Sequence, residues 1–334
     1  MYIKDDAFAS YKLLRSEFER RDYQVTEEVI NDRRMVTFAS PTGNKWKTLV
    51  FQIAYPFNTP RIKKISINKE VAYEFARNSG VSTPYTYYVS EVNEIKTSLV
   101  ADLLKRYQKL IVKPANASLS RGLTLNVQSP ESLRAAILRA RKVSKTVLIQ
   151  EQVEGEEVRF VVLDGKVVAA LLRRTPRVVG DGVSTVAELI CKENDQRKSL
   201  DFAYITYPLL SDTIIGQPMM TNNNLLLLGE TLELNRATMI RNGASVYNVL
   251  DQVHPSYVDT IEKLVGRLGA KFIVVDIFFK DFTQQQAEQN YWFIEFNTSP
   301  VLKMFYGCRD GKMFDIVPSL VGVIDEWLNQ PTAS

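Results

Sequence analysis

Two apolar, β-rich runs, Phe272 to Phe279 and Tyr291 to Phe296, stand between Gly269 and Pro300, and the polar stretch Lys280 to Asn290 joins them as a loop joins two strands. A charged residue in such a strand needs a reason to be there. Asp276 is the one charged residue of the first run, and the second ends on Glu295 and Asn297. These last two are two apart, so they project from one face of a strand about 7 Å from each other. An ionised carboxylate among apolar β residues is costly unless it is paired or bound to a cation, and an all-oxygen set suits Mg²⁺ or Mn²⁺. The plainer alternative is an edge acid in water and a glutamate paired with a surface lysine. Three oxygen-bearing side chains on adjoining strands favour a metal site made of Asp276, Glu295 and Asn297.

The rest of the composition narrows the chemistry. With 334 residues, 45% hydrophobic and 24% charged, the chain is long enough for two or three ordinary globular domains. Its net charge of +4 is spread along the sequence and carries no nucleic-acid or membrane footprint. Cys191 and Cys308 are too far apart in sequence to suggest a disulfide framework or a thiolate metal site, which fits a reducing compartment. No apolar run follows Met1 or approaches the ~18 residues that span a bilayer, so a soluble, cytoplasmic protein is expected. His254 is the only histidine, which nearly excludes Ser-His and Cys-His catalysis. Carboxylates, lysines, arginines, backbone amides and a metal remain.

Read in order, residues 1–67 form an N-terminal lobe that could cover an active site, recognise a substrate or simply support the fold. Phe8, Tyr11, Leu14 and Phe18 recur at helical spacing, and Arg34 to Ala39 and Lys45 to Ile53 are strand-like. Asn68 reads as a helix N-cap with Lys69 in the first turn, Val71 and Phe75 on one face and Gly80 as the stop. A lysine opposes the dipole at a helix start, so Lys69 is either solvated or aimed at an anion. Leu110 to Pro114 is a buried strand ending on Lys113, followed by the small-residue loop Ala115 to Gly122; such a loop can close over a phosphate, though it lacks Walker-type spacing. Ser129-Pro130 opens a helix to about Lys142 with Leu133, Ile137 and Leu138 facing the core. The strand Thr146 to Gln150 runs into the acidic segment Glu151 to Glu157. Val158 to Leu163 and Val167 to Leu172 form a hairpin about Asp164-Gly165. Arg173, Arg174 and Arg177 follow, and Thr185 with Glu188 forms a capping box. His254-Pro255 opens a helix to about Leu268 with Val258, Ile261, Leu264, Val265 and Leu268 inward, and Leu225 to Leu228 reads as core or a pocket wall.

The order of these elements resembles the ATP-grasp carboxylate–amine ligases: a helix-start lysine, a strand ending in Lys-Pro with a small-residue loop, a strand ending on an acidic linker, then Asp on one strand and Glu-x-Asn on the next. Val178 to Ile190, Asn242-Gly243-Ala244 and Val253-His254-Pro255 are most similar to the branch containing cyanophycin synthetase and the glutathione-synthetase module of the bifunctional glutathione-forming enzyme. The resemblance covers about residues 68–328. It implies a mixed α+β and α/β architecture, the ATP-grasp fold: two α/β lobes, 68–149 and 150–330, clamping ATP, preceded by the small N-terminal α/β lobe.

By the same resemblance, Lys69 and Lys113 hold the ATP phosphates, with Ser118, Ser120, Arg121 and Gly122 in the mobile loop over them. Gln150, Glu151, Gln152 and Val153 form the linker that reads adenine, and Glu157 takes the ribose hydroxyls. Asp276, Glu295 and Asn297 hold two Mg²⁺ ions, for which Mn²⁺ could substitute. Arg174 and Arg241 are the candidates for stabilising the acyl phosphate and tetrahedral intermediate, ahead of Lys303. The implied activity is ATP-dependent joining of an amino-acid or peptide carboxylate to an amine, with release of ADP and phosphate, by a possible homo-oligomer. A ligase acting on a peptide or protein side chain and a non-catalytic ATP-binding module are the alternatives. Three departures bear on this. The phosphate loop is poor in glycine, Gln150 stands where the family commonly has glutamate, and Ile240-Arg241-Asn242-Gly243 replaces a small Ser-Thr-Gly-Gly segment, which points to an altered substrate pocket.

Overall fold

The computed structural model describes residues 8–90, 97–117, 121–199, 210, 223–235, 240, 243–310 and 312–330. The chain gathers into two compact units, each assembled from separated segments: Met1–Phe57 with Glu156–Gln252 and Ser299–Ser334, and Asn58–Gly155 with Val253–Thr298.

In the first unit, helix α1 (Ala9–Glu19) lies on an antiparallel sheet of β1 (Gln24–Ile30), β2 (Arg33–Ala39) and β3 (Lys45–Leu49). The helical spacing read from the sequence buries Tyr11, Leu14 and Phe18. Phe18 meets Phe38 at 4.4 Å between ring centroids, and Trp46 stacks on Phe38 at 5.1 Å, so the lobe has an aromatic core. Strands β8 (Glu156–Leu163) and β9 (Lys166–Arg174) form the hairpin about Asp164-Gly165, and β12 (Ser245–Asn248) pairs antiparallel with β9. A bulge at Val168 interrupts the hairpin, because Val162 pairs with Val167 while Val161 pairs with Ala169. A ribbon of β10 (Arg177–Val179) and β11 (Thr231–Glu233) packs with α6 (Val186–Ser199) around Val178, Val186, Ile190, Leu226 and Leu232. The Thr185–Glu188 capping box forms, with Thr185 N donating to Glu188 Oε2 at 2.7 Å. Within Leu225 to Leu228 only Leu226 belongs to the core; Leu227 and Leu228 are 77% and 83% exposed, at the turn 228–229 that precedes β11. A 3-10 turn, Leu302–Tyr306, and α8 (Val317–Asn329) complete this unit.

In the second unit, α2 (Pro60–Ile67) and α3 (Lys69–Asn78) precede an antiparallel sheet of order β4-β7-β5-β6, formed by Thr86–Val89, Val147–Glu151, Leu110–Pro114 and Thr124–Val127. Helices α4 (Thr97–Tyr107) and α5 (Pro130–Arg141) cover it through a core that includes Val100, Leu103, Leu133 and Ile137. Leu138 is exposed rather than core-facing, and Ala136 and Ala140 take the inward positions, since the buried stripe of α5 runs through 133, 136, 137 and 140. In α3 the buried residues are Ala72, Tyr73 and Ala76 rather than Val71 and Phe75, a rotation that brings Tyr73 inward. Helix α7 (Pro255–Leu268) is capped by His254, whose ring accepts from Ser256 N, and it buries Tyr257 where Val258 was expected. Strands β13 (Phe272–Phe279) and β14 (Tyr291–Asn297) form the hairpin read at the outset.

Candidate active site

The β13–β14 register opposes Asp276 directly to Glu295 and Val274 to Asn297. Cross-strand partners share a face, and so do residues two apart, so Asp276, Glu295 and Asn297 project from one side of the hairpin. A register shift follows at once: Ile277 pairs with Phe293, leaving Ile294 as the extra residue of a bulge beside the acids. Asp276 is 1% exposed. Two carboxylates opposed across strands repel each other, and with an amide oxygen beside them they make a hard, all-oxygen donor set of the kind that suits Mg²⁺ or Mn²⁺. Among the described residues no group of three or more His, Cys, Asp or Glu could hold a metal, and the third oxygen donor on this face is the amide of Asn297.

Lysines stand close by in the same unit. Asn68 caps α3 by accepting from Glu70 N at 3.0 Å, which sets Lys69 in the first turn. Lys69 Nζ donates to the Ala117 carbonyl at 2.9 Å and lies 3.7 Å from Glu295 Oε2, tying the entry of the small-residue loop to the acidic hairpin. One helical turn on, the buried Tyr73 hydroxyl accepts from Lys113 Nζ at 2.8 Å. Lys113 Nζ also donates to Gln150 Oε1 at 2.9 Å, and Gln150 Nε2 donates to Thr86 Oγ1 at 2.7 Å. Burial pulls the Lys113 ammonium down to about 8, against the opposing pull of the Glu295 charge. Burial likewise pushes the Tyr73 hydroxyl up to about 12.

Gly122 lies against Pro114, the last residue of β5. Gly122 has φ +74°, and a Cβ there would sit 2.9 Å from Pro114 Cγ, so the single glycine of the loop stands where only glycine fits. Arg121 is exposed beside it. Ser118, Ser120 and Arg241 lie outside the described residues. Along the linker, Glu151 Oε1 accepts from Tyr85 N at 2.8 Å, and Gln152 Oε1 accepts from Asn126 N at 2.7 Å. The amides of Glu151 and Gln152 donate to the carbonyls of Tyr85 and Lys109, and Val153 follows them.

The other unit carries the arginines. Glu157 is opposite Arg173 and forms an ion pair with it; their side chains are 7% and 10% exposed. Arg159, two residues along the same face, is also buried, and its Nη1 donates to Met304 Sδ at 3.5 Å. Arg174 points to the opposite face of the sheet. It pairs with Glu156 at 3.1 Å and lies over the Tyr247 ring at 5.2 Å, about two-fifths exposed. Lys303 sits half-buried in the 3-10 turn, its pKa lowered by burial. Arg159 is not named from the sequence, and Arg173 is named there beside Arg174 and Arg177 without being made a candidate. A cation in the middle of an apolar strand was the available signal for Arg159. For Arg173 the bulge at Val168 decides: an uninterrupted hairpin would have put Arg174 on the face of Glu157.

Residues 83–183 match the domain described as the D-ala D-ala ligase C-terminus. The chain is 25% identical to the cyanophycin synthetase of Nostoc sp. over 298 residues, covering 83% of this chain and 33% of that protein. It is 28% identical to the glutathione biosynthesis bifunctional protein of Streptococcus agalactiae over 223 residues, 64% of this chain and 30% of that one. The chain thus spans about a third of the length of the curated relatives it matches. The crystal structure of a bifunctional glutathione synthetase from Pasteurella multocida superposes with a TM-score of 0.65 at 19% identity, over 96% of this chain and 44% of that one. No described helix is long and apolar enough to cross a membrane. The likeness to the bifunctional glutathione synthetase structure shows the fold, which is the ATP-grasp fold.

Proposed function

We propose that the chain is an ATP- and Mg²⁺-dependent ligase that joins the carboxylate of an amino acid or short peptide to an amine, releasing ADP and phosphate. The observation that carries this reading is the opposed pair Asp276 and Glu295, with Asn297 on the same face and Lys69 reaching the pair from α3. The names of the relatives, a cyanophycin synthetase, a glutathione biosynthesis protein and a D-ala D-ala ligase domain, agree with amide-bond synthesis.

A carboxylate is a poor electrophile at neutral pH. Attack of one of its oxygens on the γ-phosphorus of ATP forms an acyl phosphate as the bond to ADP breaks. Attack of the amine on the acyl carbon then expels phosphate, and the nitrogen loses a proton. Both steps crowd negative charge, so catalysis is positioning and electrostatic compensation rather than a protein nucleophile. Asp276, Glu295 and Asn297 would hold Mg²⁺, which when bound offsets phosphate charge. Lys69 and Lys113 bind phosphate oxygens, and Tyr73 and Gln150 fix where Lys113 points. Arg121 and Gly122, with Ser118 and Ser120, belong to the loop that excludes water from the acyl phosphate. Glu157 takes the ribose. With the amides of Glu151 and Gln152 already bonded, amide recognition of adenine within the linker 150–153 is assigned to Val153. Arg173 and Arg159 share the face of Glu157 and replace Arg174 as the cations for the acyl phosphate, with Arg241 kept as the other candidate for that role.

The test is ADP and phosphate release from the purified protein with Mg-ATP, against pools of amino acids and dipeptides, with mass spectrometry of the products. The reading expects release that requires both an acid and an amine, and a product lighter by one water than their sum. Nucleotide binding with no stimulation by any acid and amine, peptide acceptors included, would refute it.

A further inference from the structure

Arg197, in α6, is 2% exposed and is among the largest side chains that the fold buries completely. Each edge of its guanidinium is used. Nε donates to Glu193 Oε1 at 2.8 Å, Nη1 to the Gly243 carbonyl at 3.0 Å and Nη2 to Ser245 Oγ at 3.1 Å. Glu193 also accepts from Arg309 Nη2 at 3.0 Å, and the backbone N of Arg309 donates to the Val246 carbonyl at 2.8 Å. Asn194, the next residue of the helix, bonds both peptide groups of Leu210, accepting from its N at 2.6 Å and donating to its carbonyl at 3.2 Å. Gly243 is pressed between fixed neighbours: its φ is +92°, and a Cβ would meet Leu210 Cδ2 at 3.0 Å and Pro176 Cγ at 3.3 Å. Three polar residues on one helix therefore fix the chain as it enters β12.

Stability alone does not explain such a cluster, because well-packed apolar side chains of the same volume stabilise a fold as well as a buried ion network or better. What a planar, multiply bonded guanidinium adds is direction. The segment it directs is functional by position. Ser245 pairs with Arg174 and Val246 with Arg173, so the placement of β12 sets the edge strand against which Arg173 projects. Gly243 ends the sequence Ile240-Arg241-Asn242-Gly243, which the family resemblance places at the substrate pocket.

We infer that Arg197, braced by Glu193, is a positioning residue for the non-nucleotide substrates: it locks segment 243–246, and through β12 the arginine edge of β9, while leaving nucleotide binding to other residues. The inference rests on the ligase reading. Its test compares Arg197→Met, Arg197→Lys and Ser245→Ala in the full chain. The measurements are KM and kcat for each substrate, nucleotide affinity by calorimetry, and hydrogen exchange at the amides of 245–248. Arg197→Met should raise KM for the carboxylate or the amine by about tenfold or more, as expected for losing hydrogen bonds to a charged group. Nucleotide affinity should stay unchanged and exchange in β12 should quicken. Ser245→Ala should act in the same direction but less, and Arg197→Lys should restore part of the loss. A lower melting temperature with unchanged KM, or nucleotide affinity falling in parallel, would overturn the inference. If Arg197→Met does not fold, Ser245→Ala decides by the same criteria. If the native protein shows no ligase turnover, the ligase reading fails on its own, and unchanged exchange in β12 would still refute the lock.

Discussion

Replacing Gln150 by glutamate puts a charge beside Lys113 where the native protein has none. Lys113 Nζ bonds two neutral groups, the Tyr73 hydroxyl at 2.8 Å and the Gln150 amide oxygen at 2.9 Å, and burial lowers it from its ordinary 10.5 to about 8. That difference is worth ~3 kcal/mol. A carboxylate in place of the amide attracts the ammonium by ~4 kcal/mol at an effective dielectric of about 20, enough to offset the burial. Thr86, which accepts from Gln150 Nε2 in the native protein, can turn its hydroxyl to donate to the new carboxylate. The assay is nucleotide affinity by calorimetry from pH 7 to pH 10 at saturating Mg²⁺. If the charged ammonium binds phosphate, affinity in the native protein is flat below pH 8 and then falls towards tenfold per pH unit, to about thirtyfold weaker at pH 9.5. In Gln150→Glu the fall should move up by at least about one pH unit. Stability follows the opposite sign. The folded pKa lies below the unfolded one, so the unfolded chain binds more protons between pH 8 and 10.5, and this group makes the native protein more stable as pH rises through that window, by at most ~3 kcal/mol. Superposable affinity profiles for the two proteins, or a native profile flat to pH 9.5, would refute the reasoning.

Asp276→Asn and Glu295→Gln each delete a metal charge without changing volume, and each should lower Mg²⁺-dependent ADP formation by ~10²-fold or more while circular dichroism stays native; near-normal turnover in both would remove the metal assignment. Arg173→Met leaves Glu157 buried without its cation, so chemical denaturation should show a loss of ~3–5 kcal/mol together with lost turnover. Arg174→Met deletes an exposed pair worth ~0–1 kcal/mol and should leave kcat nearly intact; equal kinetic effects of the two arginine variants would contradict the assignment of faces.

Much of the candidate site's geometry was legible because it depends on local pattern. Opposed acids in apolar strands, a capped helix opening on Lys69 and a strand ending on Lys113 are all periodicity and capping signals. What sequence could not express was register and rotation. One bulge residue at Val168 exchanges Arg174 for Arg173 on the face of Glu157. A rotation of α3 brings in Tyr73 as the partner of Lys113 where Val71 and Phe75 suggested a purely apolar face. The exposure of Leu227 and Leu228 has the same origin, since four consecutive leucines have no period and only the turn ahead of β11 determines which one points inward. A linear reading also yields consecutive lobes, whereas the compact units are interleaved along the chain. Arg197 was invisible for another reason: nothing local distinguishes a buried arginine on a polar helix from its solvated neighbours.

The acyl phosphate is the centre of the account, and an isotope reports on it directly. With a carboxylate substrate labelled with ¹⁸O in its carboxyl group and an amine that supports turnover, one labelled oxygen should appear in each phosphate released, read by mass spectrometry. Phosphate released without label during amide formation would contradict the account.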